Sequence, residues 1–594
     1  MKEYKLDKNQ EKAIEINVKD VLVSASPGSG KTAIIIRRCN YLLKNNNVSY
    51  RNILVLTYTK NAANHMKNEY IKNFKENCPH FSTIHSFLYE ILRNNNKKIN
   101  IIDENTKNEL IKQVLNKYVD YISINKINNI KNMISQYKIS NFNKSKLNIG
   151  ISEEIFYICY EKYSKYLSDN KLMDFDDLSL FSYKLFNENP QILKEYRNRY
   201  KYILVDEFQD CDEMEIKFLK LIAEGNSFFA VGDEDQSIYS FKGASPKYII
   251  NFNEYFKNGR VIYLNNNYRC PEKIVERSCD LIEFNKERTG RKIYSKSFNN
   301  KDMNIMHFEN EKKQAEKIVD DIDKANNKNN LSDFAVLFRT REEGDLIKCE
   351  MLNKNISFNF CGIQQNIYNH FIFQDLYLYL KFLQQPYNLD IFNSIANKPN
   401  RFISKLNLTK LKRKNNSYGV ISSFYALDTV SLSEFKGIKL MERALNKIKK
   451  SQGEKILDIF LKKLKYISYL ETQGGIEKYK NAIEALKNIC IEEKNISNII
   501  KRIEINKGEN IINKNSVTLS TIHSVKGEEF KRVYILNCIE NTFPYYKNKN
   551  EEEERRIFYV AITRTLDELY LCVPEYMENL KTKPSKYLKE IKVE

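Results

Sequence analysis

The sequence predicts an α/β protein built on parallel sheets with helices packed against them. Two observations predict it. An apolar segment, KDVLV at 19–23, runs straight into the glycine loop SPGSGKT and on into the helical pattern AIIIRRCNYLL. Two further apolar runs, YILV at 202–205 and FFAV at 228–231, lead directly into acidic residues. Unbroken short apolar runs suit strands buried on both faces. The carboxyl ends of such strands are where α/β folds build their sites.

Strand, glycine loop, Lys-Thr and helix together are the context that a phosphate-binding loop requires. In Ser26-Pro27-Gly28-Ser29-Gly30 the glycines let backbone N–H groups approach phosphate oxygens with no Cβ in the way. Lys31 supplies positive charge for the β- and γ-phosphates of ATP, Thr32 a hydroxyl for Mg²⁺, and the helix N-terminus a further partial charge. The usual first glycine of such a loop is replaced by Ala25, which is tolerable where φ stays negative.

A phosphate loop needs an acidic strand end beside it. Asp206 and Glu207 close the run YILVDE; Asp206 suits Mg²⁺ and Glu207 the attacking water. After FFAVGD, Gln236 has the reach to sense a γ-phosphate. VIYLNNNYRC at 261–270 offers Tyr268 and Arg269. VTLSTIHSVKGEEF at 517–530 reads as a strand and a polar turn with Lys526 and Gly527. EEEERRIFYVAITRT at 551–565 reads as a charged helix on which Arg556 and Arg564 lie about 80° apart.

Bulk properties fit a soluble globular chain. The 594 residues are enough for three or four domains, 42% hydrophobic and 29% charged. The net charge of +20 is compatible with a polyanionic partner and equally with the Asn, Lys, Ile and Tyr bias of an AT-rich genome. Eleven cysteines form no C-x-x-C pair or Cys/His cluster, which argues for reduced thiols in a cytoplasmic protein. The charged start MKEYKLDKNQEKAIE has no signal-peptide core, and no run of eighteen apolar residues suggests a membrane span.

Taken in order, these blocks resemble the superfamily 1A DNA helicases of the UvrD/PcrA/Rep family. LDKNQEKAI resembles the Q motif, SPGSGKT motif I, ILVLTYTKNAANHM motif Ia and FSTIHSF the short DNA-contact motif after it. ILVDEFQD resembles motif II, VGDEDQSIYSFKGA motif III and LNNNYRC motif IV. FAVLFRT resembles the strand that follows, VTLSTIHSVKGEEF motif V and EEERRIFYVAITRT motif VI. The resemblance implies two RecA-like P-loop motor domains that close on ATP and Mg²⁺ and move 3′-to-5′ along single-stranded DNA. It implies that Gln10 contacts the adenine, that Tyr268 stacks on it, and that Glu529 holds the ribose. Arg269 and Arg564 would reach the γ-phosphate, and Tyr58, His85, Tyr239, Phe241 and Lys242 would contact DNA, the aromatic faces stacking on bases of any sequence.

The resemblance implies four domains: 1–90 with 171–265 as the first motor domain, 91–170 as its helical insertion, 266–370 with 508–594 as the second motor domain, and 371–507 as the second helical insertion. MDFDDLSL at 173–180 marks the return to the first core, and the Asn-rich stretch at 128–148 reads as a solvated surface. Several positions depart from the family pattern. Phe241 stands where the family has Trp, Lys242 where it has Arg, and Ala33 where it has Arg. The stretch 397–414, where relatives grip duplex DNA, shows no Gly-Ile-Gly hairpin. The last strand DELYLCV is followed by little more chain, with no room for a nuclease domain.

Two functions stay open. One is a helicase that separates duplex DNA, acting at single/double-strand junctions in DNA repair, replication restart or recombination. The other is a DNA-stimulated ATPase that serves as sensor or regulatory subunit beside a protein partner, such as a nuclease in an anti-phage system.

Overall fold

Why the first sheet forms is visible in its burial. In a computed structural model, strands β1 (Asp20–Ala25), β2 (Ile53–Thr57), β3 (His80–Thr83), β4 (Tyr202–Val205), β5 (Ser227–Gly232) and β6 (Arg260–Leu264) pair in the order β3-β2-β4-β5-β1-β6. Every pairing is parallel. The structure describes residues 6–45, 48–74, 77–95, 99–116, 118, 124–143, 153–326, 330–361, 363–365, 367–413, 419–472, 475–508 and 515–592. Strands β2 and β5 are almost wholly buried, as a sheet covered on both faces requires. Their side chains alternate between two cores. Val21, Val23, Val55 and Val231 meet Ile34, Ile35 and Met66 on one face. Leu22, Leu54, Leu56 and Ala230 meet Phe87, Ile91 and Leu219 on the other.

The first helix, Lys8–Glu15, begins with a capping box: Asp7 accepts from the N–H groups of Asn9 and Gln10, and the Gln10 side chain accepts from the Asp7 N–H. Its far end is held from the next helix, Lys31–Asn45. Arg38 is buried, donates to the carbonyls of Ile14 and Ile16 at 2.8 and 3.0 Å, and lies 4.6 Å over the ring of Phe229. One guanidinium thus satisfies orphan carbonyls at a helix end and packs against the sheet.

Helices Glu104–Leu115, Ile124–Ile139 and Glu153–Asp169 share a small core of Ile111, Leu115, Ile130, Ile134, Phe156 and Cys159. The return segment carries the anchor. Asp174 caps the helix Phe175–Glu188, and Lys138 is buried 2.8 Å from both Asp174 and Asp177. Tyr163 donates to Asp174 at 2.9 Å. The Asn-rich stretch continues the helix Ile124–Ile139, and its residues 144–148 lie outside the described residues, as does the N-terminal MKEYK.

The second sheet contains β7 (Met303–Asn310), β8 (Phe334–Phe338), β9 (Phe358–Phe360), β10 (Ile363–Gln365), β11 (Val517–Thr521), β12 (Phe530–Ile535), β13 (Thr565–Met577) and β14 (Leu580–Lys581). Their order is β7-β13-β12-β8-β11-β9-β10, with β14 on β13. The central strands β12, β8, β11 and β9 are parallel, and the helices Glu311–Asn326 and Asp345–Asn353 pack on them through Ile318, Val319, Met351 and Leu352. Between 371 and 508 the described residues are mainly helical, around Phe373, Leu376, Leu380, Met441, Phe460 and Leu486. The stretch 397–414 forms a turn and the helix Lys405–Arg413; Lys414 lies outside the described residues.

Two sheets of RecA-like α/β type are therefore present. By packing, the chain divides into one unit of Met1–Met303, Phe543–Asp567 and Ser585–Glu594 and a second of Asn304–Thr542 and Glu568–Pro584. Residues 266–303, 543–567 and 585–594, grouped by sequence with the second sheet, pack in the unit of the first. Among the described residues no helix is long and apolar enough to cross a membrane.

Replacing Arg38 by Met keeps the stem and removes both hydrogen bonds. We expect a loss of about 2–3 kcal/mol, typical of charged hydrogen bonds to buried carbonyls, measured by urea unfolding. An unchanged midpoint would contradict the assigned role.

Candidate nucleotide and nucleic-acid sites

The glycine loop bends between β1 and the helix Lys31–Asn45. Ser26 donates to the Leu264 carbonyl from both its N–H, at 3.1 Å, and its hydroxyl, at 3.0 Å, so the loop is tied to β6. Ser29 closes back on the Ser26 carbonyl through its hydroxyl at 2.7 Å. Gly28 lies at φ +67, and a Cβ there would meet the Arg269 Cβ at 2.5 Å and Asn267 Oδ1 at 2.7 Å. Only glycine allows that approach. The Gly28 carbonyl accepts from the N–H of Tyr268 at 3.0 Å, so the segment that carries Tyr268 and Arg269 lies directly on the loop. Gln10 is buried, and its Nε2 donates to the Ser29 carbonyl at 3.0 Å. Asp7, the cap of the same helix, accepts from the Tyr268 hydroxyl at 2.7 Å. Gln10 and Tyr268 are thereby brought to one edge of the loop, with the Tyr268 ring 43% exposed.

Lys31 begins its helix and turns its ammonium towards the carbonyls of Ala25 and Ser26, at 3.3 and 3.4 Å. Burial holds it below its ordinary pKa, against the opposing pull of Glu207, Asp233 and Asp206. Asp206 follows β4, with its N–H on the Leu56 carbonyl at 2.8 Å. Burial first, and Glu207 second, push its carboxyl up to about 7, and its buried Oδ1 has no hydrogen-bond partner. A buried, unsatisfied hard oxygen of this kind is suited to a divalent cation. No group of three or more His, Cys, Asp or Glu among the described residues could hold a metal ion unaided. One carboxylate beside a phosphate loop, with Thr32 in the first turn of its helix, instead fits Mg²⁺ of the sort that shares its ligands with substrate phosphates.

Glu207 sits in the left-handed region, φ +52, which turns the chain sharply after the strand. Its carboxylate accepts from Gln209 Nε2 at 2.5 Å, and Gln209 Oε1 accepts from the Asp233 N–H at 2.9 Å. The acidic ends of β4 and β5 are thus bridged by one buried amide. Gln236 lies one short turn on. Its Nε2 donates to Asp233, and its Oε1 accepts from Arg564 Nη2 at 3.4 Å. The charged helix at 551–565 ends earlier than its sequence pattern suggests, at Ile562. The Thr563 hydroxyl bonds back to the carbonyls of Tyr559 and Val560, and Arg564 lies beyond the helix, its Nε on the Val560 carbonyl at 2.9 Å. Helical spacing therefore does not relate Arg564 to Arg556, which instead reaches the Glu287 carbonyl at 2.9 Å. Arg269 Nη1 is 3.5 Å from the Thr563 carbonyl. Lys31, Asp206, Glu207, Gln236, Arg269 and Arg564 all lie in the first unit. Glu529 belongs to the second, exposed just before β12, next to Glu528 and two residues after Gly527, which has φ +88.

Beneath these groups is a network that sequence reading missed. Arg291 is buried among Asp233, Glu234 and Asp235 and donates to the Ser24 hydroxyl at 2.8 Å. Ser24 in turn donates to Glu234 at 3.2 Å. Arg288 grips Asp235 with two bonds of 3.2 and 3.1 Å, and Thr289 donates to Glu234. Burial, and then the neighbouring Glu234, raise Asp235 to about 6, while the same carboxylates hold the Arg291 guanidinium firmly charged. The available signal was compositional: the acidic run DED and the basic run ERTGR are each implausible as buried segments unless they meet.

A second concavity, of about 790 Å³, opens in the same unit. Its lip is aromatic and cationic. Tyr58 and Tyr239 stack at 5.3 Å, Phe241 stands edge-on to Tyr239 at 5.9 Å and is 43% exposed, and Lys242 Nζ lies 4.9–5.8 Å from all three rings. Lys242 also donates to the Tyr58 hydroxyl at 3.0 Å. The wall below is acidic, with Asp176, Asp210, Asp212 and Glu215. His85 faces Glu215 at 3.9 Å, and burial lowers its pKa. Burial raises Asp176, Asp212 and Glu215, the last to about 7, so the wall carries less negative charge at neutral pH than its composition suggests. Four of the five candidate DNA contacts, Tyr58, His85, Phe241 and Lys242, line this cleft, and the fifth, Tyr239, stacks on Tyr58 beside it.

The sequence model of the UvrD/REP helicase N-terminal domain matches residues 6–257, and that of the UvrD-like helicase C-terminal domain matches 262–576. The chain belongs to the UvrD/REP helicase family. Similar relatives include the ATP-dependent DNA helicase PcrA of Staphylococcus epidermidis, 29% identical over 99% of this chain and 86% of that protein. PcrA of Staphylococcus aureus is 28% identical over the same shares. The phosphate loop and Asp206 lie within the first matched domain, and Arg269 and Arg564 within the second.

Two stability predictions follow from these networks. Arg291→Met strips three buried carboxylates of a counter-charge and should cost about 3–5 kcal/mol; Arg291→Lys, which keeps the charge and loses the fork, should cost less. Equal unfolding midpoints for wild type and the Met variant would refute this. For Glu215, the native pKa is above the unfolded value of 4.5, so its contribution is intact below pH 4.5 and lost as pH rises through about 7. Glu215→Gln should therefore stabilise the chain by about 1–3 kcal/mol at pH 8 and hardly at pH 4.5, measured by paired urea titrations. A gain that is the same at both pH values would contradict it.

Proposed function

We propose that this protein is an ATP-dependent DNA helicase that moves 3′-to-5′ on single-stranded DNA and separates duplex ahead of it. The observation that carries the reading is one continuous connection: Gln236, in contact with Asp233 and Arg564, stands three to six residues before Tyr239, Phe241 and Lys242 on the aromatic shelf. A change in the contacts of Gln236 has only Ser237 and Ile238, both buried, to cross before it reaches the stacking rings. The name shared by the relatives, ATP-dependent DNA helicase PcrA, supports the same reading.

In this reading ATP binds with its phosphates over Gly28–Lys31 and its base between Gln10 and Tyr268. Glu207 orients the attacking water and accepts its proton as the new O–P bond forms and the β–γ bridge breaks. Lys31, Arg269 and Arg564 oppose the charge that develops on the γ-phosphoryl oxygens, and Gln236 registers its presence. Thr32 and Asp206 would hold Mg²⁺, which would supply charge neutralisation to the phosphates when bound. Bases stack on Tyr58, Tyr239 and Phe241, each worth about 1–3 kcal/mol, with His85 and Lys242 along the strand. We assign residues 1–90 and 171–265 to the first motor domain, 266–370 and 508–594 to the second, and 91–170 and 371–507 to helical insertions. Work on single/double-strand junctions in the cytoplasm, in DNA repair, replication restart or recombination, fits this activity.

Strand separation with ATP and Mg²⁺ on duplexes bearing a 3′ or a 5′ tail tests the proposal. Unwinding is expected with the 3′ tail, and Lys31→Ala should abolish hydrolysis while leaving single-strand binding within about threefold of wild type. Unwinding from the 5′ tail would overturn the polarity. Hydrolysis stimulated by single strands with no unwinding would favour the second reading, a sensor or regulatory ATPase beside a partner such as a nuclease. That reading draws on the smaller stacking face of Phe241 and the single point charge of Lys242.

A further inference from the structure

Gln209 lies fully buried in the short turn Phe208–Asp210, just past the acidic end of β4, and its amide is engaged at both ends. The Asp233 N–H can only donate, so at 2.9 Å it must face the amide oxygen. The amide nitrogen is thereby turned to Glu207 and donates to its Oε2 at 2.5 Å. The backbone carbonyl of Gln209 accepts a third bond, from the buried Ser237 hydroxyl at 3.2 Å. Asp233 and Ser237 stand on either side of Gln236, so one residue touches the candidate base and holds the sensor segment before and after Gln236. Gly232 makes room for the amide. A Cβ there would meet Gln209 Oε1 and Ile249 Cδ1, each at 2.7 Å, although Gly232 does not have a positive φ. Its missing side chain answers to close packing, not to a turn.

We propose that Gln209 is a positioning residue that aims the Glu207 carboxylate according to where the segment 233–242 lies, and so makes hydrolysis depend on a strand seated on the aromatic shelf. The inference rests on the helicase reading and adds to it the link between shelf and base. A glutamate side chain turns about three bonds, and the amide fixes an oxygen at its far end. The segment runs without a break from Asp233 through Gln236 to Tyr239, Phe241 and Lys242. A base on the shelf, or a γ-phosphate at Gln236, that shifts this segment shifts the Asp233 N–H and the Ser237 hydroxyl with it. The amide follows them, and the carboxylate follows the amide. Misplacing a reacting group by about 1 Å can cost about 100-fold in rate, so a small movement is enough to switch the base on or off. A bridge serving stability alone could be apolar; a buried amide costs desolvation and is worth keeping only where all its bonds are made.

The test measures single-turnover ATP hydrolysis by the full-length chain with Mg²⁺, with and without oligo-dT, beside KM for ATP and affinity for oligo-dT. Wild type is compared with Gln209→Leu, Gln209→Glu and Glu207→Gln. We expect Gln209→Leu to lower the oligo-dT-stimulated rate by about 100-fold, towards the unstimulated rate, with KM and oligo-dT affinity within about threefold of wild type. Gln209→Glu keeps the shape and the bond from Asp233 but sets a second carboxyl against Glu207. Two carboxyls at that distance share a proton, so the acid limb of its rate profile should stand about one pH unit or more above that of wild type. Lost packing alone would not move that limb. Should the Leu variant not fold, the limb of the Glu variant decides. Wild-type stimulated rates in the Leu variant, or an unmoved limb in the Glu variant, would overturn the proposal. Equal fractional losses with and without oligo-dT would overturn the coupling. An inactive Glu207→Gln beside unaffected Gln209 variants would sink this inference and leave the helicase reading standing, whereas a fully active Glu207→Gln would remove the base from that reading itself.

Discussion

One guanidinium, buried with three carboxylates, sets the geometry on which the nucleotide site depends. Arg291 ties Ser24, next to the end of β1, to Asp233, just past the end of β5. Asp233 fixes Gln236, and Gln236 meets Arg564. Three neighbouring acids would repel one another and the phosphates of a nucleotide; with Arg291 and Arg288 among them they become a scaffold. Taking such charges out of water is costly, and a buried ion network is a poor way to gain stability. Its value here is orientation: the polar side chains that face the glycine loop are held by bonds at fixed angles, where apolar packing would leave them free to turn.

Much of this site could be read along the chain because its parts are local. A strand, a glycine turn and a helix are neighbours in sequence, and so are an apolar run and the carboxylates that end it. The unbroken apolar run KDVLV also predicts a strand buried on both faces, as Val21 and Leu22 are. What could not be read are the contacts that join distant segments. Arg291 and Asp233 are 58 positions apart, and neither lies in a periodic pattern. The early end of the helix Glu551–Ile562 escaped as well, because it depends on where the Thr563 hydroxyl points. Gln209 was hidden for a third reason. Inside an acidic motif it reads as one more polar residue, and only the fold reveals that it is fully buried between two strand ends.

The same division of labour appears in how charge is spent. The first unit places its carboxylates in buried clusters, where burial and mutual repulsion raise Asp206, Asp235 and Glu215. Their formal charge therefore overstates the field they project. The cations on the helix Leu432–Lys449 stand exposed in water. Composition alone, a net charge of +20, could not show where these surfaces lie.

The shelf of Tyr58, Tyr239 and Phe241 has an optical consequence. The chain holds 39 tyrosines and no tryptophan, so its native emission carries no indole band at all. An indole introduced at position 241, where the side chain is 43% exposed beside two stacked rings, would be the sole emitter of its kind in 594 residues. Its colour and quenching would report on the surroundings of that one shelf against a background free of any other indole.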